Sequence, residues 1–376
     1  MPKPDRASKQ LLLVGGGHSH VAVLRSLGER PLPGVSATLI SPERFTPYSG
    51  MLPGLIAGHY EYRECHIDLA ALARFACCTH VEEAVTHLDL ARQVASIAGG
   101  GEHGWDVISL DIGSNPDTTG VPGARECAIA VKPVHRLLAA LPELVARARQ
   151  GVLRRILFVG GGAAGVEVLL ALQHHLFAVG VRGVEMILAT DADVPLVAHN
   201  ARVRAIFSRV LADRRVRVHV RSRIVRVDPD AALTDTGERI GFDALIWATG
   251  AAAAAWPGES GLAVDPNGFV LVDETLQSVS HAHVFAAGDI ATMRGHPRPK
   301  SGVYAVRHGP PLARNIRRAL AGERLAPFVP QGEALALIST GDRYAVMSRG
   351  RWALKGAWVW RWKDWIDRRF MRRYAV

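Results

Sequence analysis

The sequence predicts an α/β fold built from two nucleotide-cradling units of one design, the second inserted into the first. Three observations predict it. A short apolar run enters a glycine-rich turn at Leu11-Leu12-Leu13-Val14-Gly15-Gly16-Gly17, and a second copy, Ile156-Leu157-Phe158-Val159-Gly160-Gly161-Gly162, stands 145 residues later. Each copy has a closing strand that ends at a glycine: Gly113 lies 96 residues after Gly17, and Gly250 lies 88 after Gly162. A third buried strand, Val284-Phe285-Ala286-Ala287, ends in Gly288-Asp289. A strand turning tightly into a helix aims backbone N–H groups and the helix dipole at one point, where a pyrophosphate can sit.

The totals set the frame. The chain has 376 residues, 48% hydrophobic, with 37 glycines, enough for two or three domains. No window reaches the roughly 18 uninterrupted apolar residues of a membrane-spanning helix. The polar stretch Met1–Gln10 and the glycines that stop the next apolar run read as no signal peptide. Cys65, Cys77, Cys78 and Cys127 form no C-x-x-C or metal-ligand spacing, so neither a metal centre nor a disulfide framework is expected, and a reducing cytoplasm fits. The net charge of +10 is local, because residues 349–376 hold nine Arg/Lys against two Asp. It belongs to a tail rather than to a nucleic-acid-binding surface.

Taken in order, the first turn leads into a helix running to about Gly28 and a strand over Ser36–Ile40. The residue closing that strand in dinucleotide folds carries a carboxylate for the adenosine ribose. Here Ser41, Pro42 and Glu43 stand there, and His20 takes the third glycine position. Ser41 or Glu43 would reach the ribose. Of His18 and His20, one is expected to be solvated and the other packed beneath the helix. The segment Phe45–Gly54 holds too many turn formers to be regular; it either presses on a flat ring or is a plain crossover. Trp105–Ser114 reads as a strand ending in a turn, and Val134 to about Gln150 as the helix delivering the chain to the second turn.

The second unit repeats the order: a helix from near Gly165, strand Val184–Leu188, helix Arg202–Asp213, strands Val216–Val220 and Ile224–Val227, then Asp243–Gly250. Thr190-Asp191 closes its second strand without an unambiguous ribose carboxylate or arginine fork, which leaves NADH and NADPH open. A further helix begins near Gly302.

With these signals the chain resembles the two-dinucleotide-binding-domain flavoproteins of the pyridine nucleotide–disulfide oxidoreductase superfamily. The two glycine turns, Ala248-Thr249-Gly250 and Gly288-Asp289 appear in that family's order over about residues 10–325. Within it the chain is similar to type II NADH dehydrogenases and sulfide:quinone reductases. The segments Gly15-Gly16-Gly17-His18-Ser19-His20, Tyr48–Gly54, Ser109–Ser114 and Trp362–Met371 also resemble flavoproteins found alone or fused ahead of selenophosphate synthetase.

The resemblance implies two Rossmann-like, glutathione-reductase-like domains. Residues 1–150 and 271–325 would bind FAD, the insert 151–270 would bind NAD(P)H, and 326–376 would form a small C-terminal extension. It places Gly15, Gly17, His18 and Ser19 at the FAD pyrophosphate and Asp289, after Gly288, at the ribityl chain. Pro53 would lie against the isoalloxazine, with Gly302 and Val303 near its C2 carbonyl. Val85 and Gly113 complete the flavin set. Gly160, Gly162, Ala163, Ala164 and Gly165, with Thr190 and Gly250, would hold NAD(P)H. Glu167 is placed as a catalytic carboxylate near the stacked nicotinamide and flavin, or else as a plain helix-dipole glutamate. Lys132 and Lys300 would support anionic flavin, or be solvated surface lysines. The family's C-x-x-x-x-C dithiol is missing, so the electron acceptor must be external: a quinone-like molecule, a soluble partner in selenium metabolism, or none if the flavoprotein is a low-turnover redox sensor.

Five of the eight tryptophans fall in residues 352–376. On a helix Trp358, Trp362, Trp365, Ile366 and Phe370 share one face. Aromatics opposite Arg/Lys describe a helix lying on an anionic bilayer, hence a protein held at the cytoplasmic face. The same face could instead dock on the protein's own core or on a second copy in a homodimer.

Overall fold

The computed structural model describes residues 8–118 and 120–376. The reading of Met1–Gln10 as leaderless falls mostly on residues 1–7, outside the described residues.

Two five-stranded parallel sheets organise the chain. In the first, the order is Val284–Ala286, Val107–Leu110, Lys9–Val14, Val35–Ile40, Cys78–Val81. In the second it is Ala128–Ala130, Ala244–Trp247, Arg155–Val159, Glu185–Ala189, Arg217–His219. Each glycine turn therefore leaves a central strand, flanked on one side by the next strand in sequence and on the other by the closing strand. Leu11 to Val14 are all buried, as is Ile156 to Val159, because both faces of each sheet are covered: in the second, Ile156 and Phe158 pack on helices, while Leu157 and Val159 pack on Ile224, Val227, Ala232 and Ile240 of neighbouring strands.

The repeat extends further than the glycine turns indicated. A three-stranded antiparallel meander precedes each closing strand: Val85–Asp89, Val94–Ile97 and Glu102–Gly104 in the first unit, Ile224–Asp228, Ala231–Thr234 and Arg239–Gly241 in the second. The copies are interleaved at their outer edges. The first sheet completes itself with Val284–Ala286, which follows the second unit in sequence, while the second takes Ala128–Ala130, which precedes it.

Phe45–Gly54 is more regular than its composition suggested. Phe45–Pro47 pairs antiparallel with His66–Asp68, Ser49–Met51 forms a 3-10 turn, and Leu52–Ile56 a short helix with Pro53 in its first turn, where a missing N–H costs nothing. A hairpin sheet of Ala336–Ser339, Ala345–Arg349 and Trp352–Gly356 leads into the C-terminal helix Ala357–Tyr374.

That helix docks on the protein's own core, by a face that takes in only part of the expected one, Trp362 and Phe370. Val359, Trp360, Lys363, Asp367 and Tyr374 are buried, and Phe370 stacks on Tyr48 at 4.2 Å between centroids. Trp358 and Trp365, expected to lead the apolar face, are about half exposed at 48% and 51%. The inner face was hidden in the sequence because it carries an ion pair, Lys363 Nζ to Asp367 Oδ2 at 2.6 Å, instead of an apolar stripe.

Candidate functional site

The first cradle is built where the central strand ends. Gly15 takes φ +91°, and a Cβ there would lie 2.5 Å from the Asp111 carbonyl oxygen, so only glycine passes. Gly17 caps the helix His18–Glu29 in an extended conformation and brings its first turn to the sheet's C-terminal edge, where the Ser19 and His20 N–H groups donate to Asp111. Ser19 sends its hydroxyl to the Ala305 carbonyl at 2.7 Å and ties this helix to Gly302–Ala321.

His20 shows how a third glycine can be replaced. The ring is fully buried; Nδ1 donates to the Gly15 carbonyl at 2.7 Å, which leaves Nε2 to accept from the Ser109 hydroxyl at 2.8 Å. Burial holds its pKa down at about 4, so it is neutral. In the second unit Gly165 keeps the ordinary arrangement, with room for no Cβ against the Gly160 carbonyl at 2.1 Å. His18 is half-buried rather than solvated as expected. Its Nε2 is buried with no hydrogen-bond partner, its ring lies 5.6 Å from Tyr48, and burial lowers its pKa to about 4.

Asp289 gathers Ser114 Oγ at 3.0 Å and Lys132 Nζ at 2.7 Å on one carboxylate oxygen. Burial opposes its charge, but Lys132 and the Ser114 hydroxyl outweigh that and hold it below the ordinary carboxylate range. Gly288 donates its N–H to His308 Nδ1. Around the short helix carrying Pro53, a Cβ on Gly302 would sit 2.5 Å from Ser49 Oγ, so the N-terminus of Gly302–Ala321, with Val303 in its first turn, abuts the Ser49–Met51 turn.

The other expected residues are held as follows. Lys300 Nζ donates to the Ala291 carbonyl at 2.7 Å and Thr292 Oγ1 at 2.8 Å and sits over the Phe269 ring, while burial lowers its pKa to about 8. Glu43 pairs with His135 at 2.6 Å, Pro42 is exposed, and buried Ser41 donates its hydroxyl to the Glu43 carbonyl. Val85 is a buried core residue paired with Ile97. Gly113 takes φ +72° two residues beyond Asp111.

The second cradle opens at Gly160, with φ +119°, and Gly162, which caps the helix Ala163–Ala178 from Ala163 and Ala164 onward. Thr190 packs against Gly161, where a Cβ would meet its Oγ1 at 2.6 Å, and the Gly250 carbonyl accepts the Asp117 N–H at 2.8 Å. Glu167 projects from that helix and accepts the Ser339 N–H at 2.7 Å. Desolvation raises its pKa to about 7, against the pull of Lys363 and of the Ser339 N–H. Lys363 in turn donates to the Gly50 carbonyl and to Asp367, which also holds Tyr48. A carboxylate of the second unit, a cation of the C-terminal helix and the Tyr48–Gly54 loop of the first unit thus meet at one place. Sequence reasoning missed Tyr48, Lys363, Asp367 and Asp111. The i, i+4 spacing of Lys363 and Asp367 was visible, but both were absorbed into the tail's charge.

The donor sets fit dinucleotides of the flavin and nicotinamide kind, one to each cradle: glycine turns closed to a Cβ at Gly15, Gly17, Gly160 and Gly165, helix N-termini, and in the first cradle the unpartnered His18 nitrogen beside Asp289 and Lys132.

Comparison with known proteins agrees. The profile of the pyridine nucleotide-disulphide oxidoreductases matches residues 9–309. A probable NADH dehydrogenase of Dictyostelium discoideum is 21% identical over 93% of this chain and 82% of its own length. Among solved structures, the sulfide:quinone oxidoreductase of Aquifex aeolicus superposes with a TM-score of 0.82 at 17% identity, covering 97% of this chain and 91% of that one. The type II NADH dehydrogenase of Plasmodium falciparum, solved with NADH, gives 0.76 at 13% identity over 97% and 98%.

Proposed function

The chain belongs to the pyridine nucleotide-disulphide oxidoreductase family, and from that premise we propose that it is an FAD-dependent NAD(P)H oxidoreductase passing electrons to a small external acceptor of the quinone class. FAD, when bound, would accept hydride from NAD(P)H and release the electrons to that acceptor. The residues of the chain do the rest. Gly15, Gly17, His18 and Ser19 seat one dinucleotide; Gly160, Gly162, Ala163 and Gly165 of the unit 151–270 seat the other. Lys132, fixed by Asp289 and Ser114, supplies positive charge beside His18. Glu167, poised near 7, can give a proton to a reduced acceptor at neutral pH.

The carrying observation is the meeting of Glu167, from the nicotinamide unit, with Lys363 and the Tyr48–Gly54 loop, from the flavin side. An external acceptor is supported by the cysteines: all four are free, and Cys65 and Cys78 are buried with thiols pushed up to about 12 by desolvation. The Dictyostelium and Aquifex relatives, named for NADH and quinone chemistry, support the same reading.

The outer face of the C-terminal region supports attachment to an anionic bilayer. Trp352, Leu354, Trp358 and Trp365 are exposed beside Arg351, Lys355, Arg361, Arg369 and Arg372. Among the described residues no helix is long and apolar enough to cross a membrane.

The test is anaerobic titration of the purified protein with NADH and NADPH, followed by addition of a short-chain quinone. The expected result is a yellow protein whose flavin absorbance is bleached by one equivalent of the preferred nucleotide and restored by the quinone. A colourless protein that takes up no added FAD would overturn the proposal.

A further inference from the structure

The floor of the first cradle holds a carboxylate that the second lacks. The two closing strands end in parallel fashion, Asp111-Ile112-Gly113 in one unit and Ala248-Thr249-Gly250 in the other. Ala248 presents a methyl group to its glycine turn; Asp111 presents an acid. Asp111 Oδ2 accepts the N–H of Ser19 at 2.8 Å and that of His20 at 3.0 Å, the second and third residues of the helix. Those first-turn amides belong to the donor set that a helix N-terminus offers a phosphate. The side chain is 2% exposed and has little freedom to swing away, since a Cβ on Gly17 would stand 2.2 Å from Oδ1 and one on Gly288 2.3 Å from the same atom.

We propose that Asp111 is an internal anion in the flavin cradle, and that seating the FAD pyrophosphate requires this carboxyl to be neutral, so that flavin binding takes up one proton from solvent. This rests on the reading of the first unit as the flavin site. An ionised carboxylate and a phosphate contending for adjacent amides in a dry pocket repel strongly. A protonated carboxyl keeps one oxygen as acceptor and gains an O–H to donate.

The surroundings agree. Desolvation pushes the carboxyl up to about 7 in spite of the His20 and Ser19 amides, and the neighbouring Asp289 adds to it. The other groups facing this pocket are His18 and His20 from the same helix, His308 from Gly302–Ala321, Lys132 through Asp289, and Lys300. The three histidines, each held at about 4, stay neutral above pH 6. Lys300, lowered to about 8, is the one further group that titrates in the same window, and it is left in place in the variant below.

The experiment measures FAD affinity by quenching of flavin fluorescence from pH 6 to 9, for the wild-type protein and for Asp111→Asn. Asparagine keeps the shape and an acceptor oxygen while removing the charge. Wild-type Kd is expected to weaken about tenfold per pH unit above about 7. The variant should vary less than about threefold over the same range and bind more tightly than wild type at pH 8. Calorimetry of wild-type protein with FAD at pH 8, in two buffers of different ionisation enthalpy, should report close to one proton taken up, and this arm needs no variant. A wild-type affinity flat with pH, or an equal slope in Asp111→Asn, overturns the inference while leaving the flavin site standing. Failure of both proteins to bind FAD at any pH overturns the flavin site and the inference together.

Discussion

In the proposed function, Glu167 concentrates the chemistry at the scale of a single side chain. Its neighbours fix both its geometry and its proton: the Ser339 amide holds one oxygen, Lys363 favours the charged form, and burial outweighs them to give a carboxyl near 7. A carboxyl poised there exchanges a proton readily at physiological pH. Glu167→Gln retains an acceptor for Ser339 and removes only the proton. Steady-state kcat with a quinone should fall about 100-fold, within the usual range for a lost acid–base group, with the KM for NAD(P)H changed little. Wild-type kcat should decline as pH rises through about 7, because the protonated form is the donor. The variant should lose that inflection. Retention of the inflection in the glutamine variant would assign the proton to another group.

The C-terminal helix shows what a sequence discloses about an element and what it withholds. Its existence was legible from composition, and its extent follows from a run free of Gly and Pro up to Tyr374. Its orientation was not. Counting apolar residues selects Trp358, Trp362 and Trp365, whereas the buried face is centred on Lys363 and Asp367. That ion pair is tolerated only because Gly50 and Tyr48, some 300 residues away in sequence, supply its remaining hydrogen bonds. The same limit applies to Asp111, whose partners come from the helix at Ser19. Local patterns report the glycine turns well because each is a short-range steric requirement; they do not report a polar network assembled across units. The helix's two faces also separate two experiments. Deleting 357–376 strips Phe370, Met371 and Tyr374 from the first unit's core and should destabilise the whole protein. Reversing Arg361, Arg369 and Arg372 to Glu alters exposed positions only. At roughly 1 kcal/mol per basic residue near an anionic surface, the triple variant should lose at least about 100-fold in partitioning to phosphatidylglycerol vesicles, with dye reduction by NAD(P)H unchanged. Equal sedimentation of both proteins would assign the tryptophans to another surface.

At the scale of the whole molecule, two sheets of one topology have been interleaved, and buried titratable groups are concentrated in the first. His18, His20 and His308 are each held neutral down to about pH 4. In the unfolded chain they would bind protons below about 6.5, so folding excludes those protons, and stability is lost as pH falls from 6.5 toward 4. Asp111 and Glu167 act in the opposite sense. Folded, they keep protons up to about 7 that unfolded carboxyls release near 4, so their contribution falls as pH rises across that interval. Asp367 is also raised by burial, so the net rise in stability up to about pH 6.5 rests on the full set of lowered histidines, and it is followed by a decline as the carboxyls ionise. His59, His66, His80, His174, His175 and His199 are also lowered, mainly by burial, and steepen the acid limb. Urea midpoints from pH 4.5 to 8 should therefore peak near 6.5 and drop more steeply on the acid side. His20→Asn should be less stable at pH 7, through loss of the contacts to Gly15 and Ser109, and less sensitive to acid by up to about 3 kcal/mol. An acid limb of equal steepness in that variant would show that the buried imidazole is not what makes the fold acid-labile.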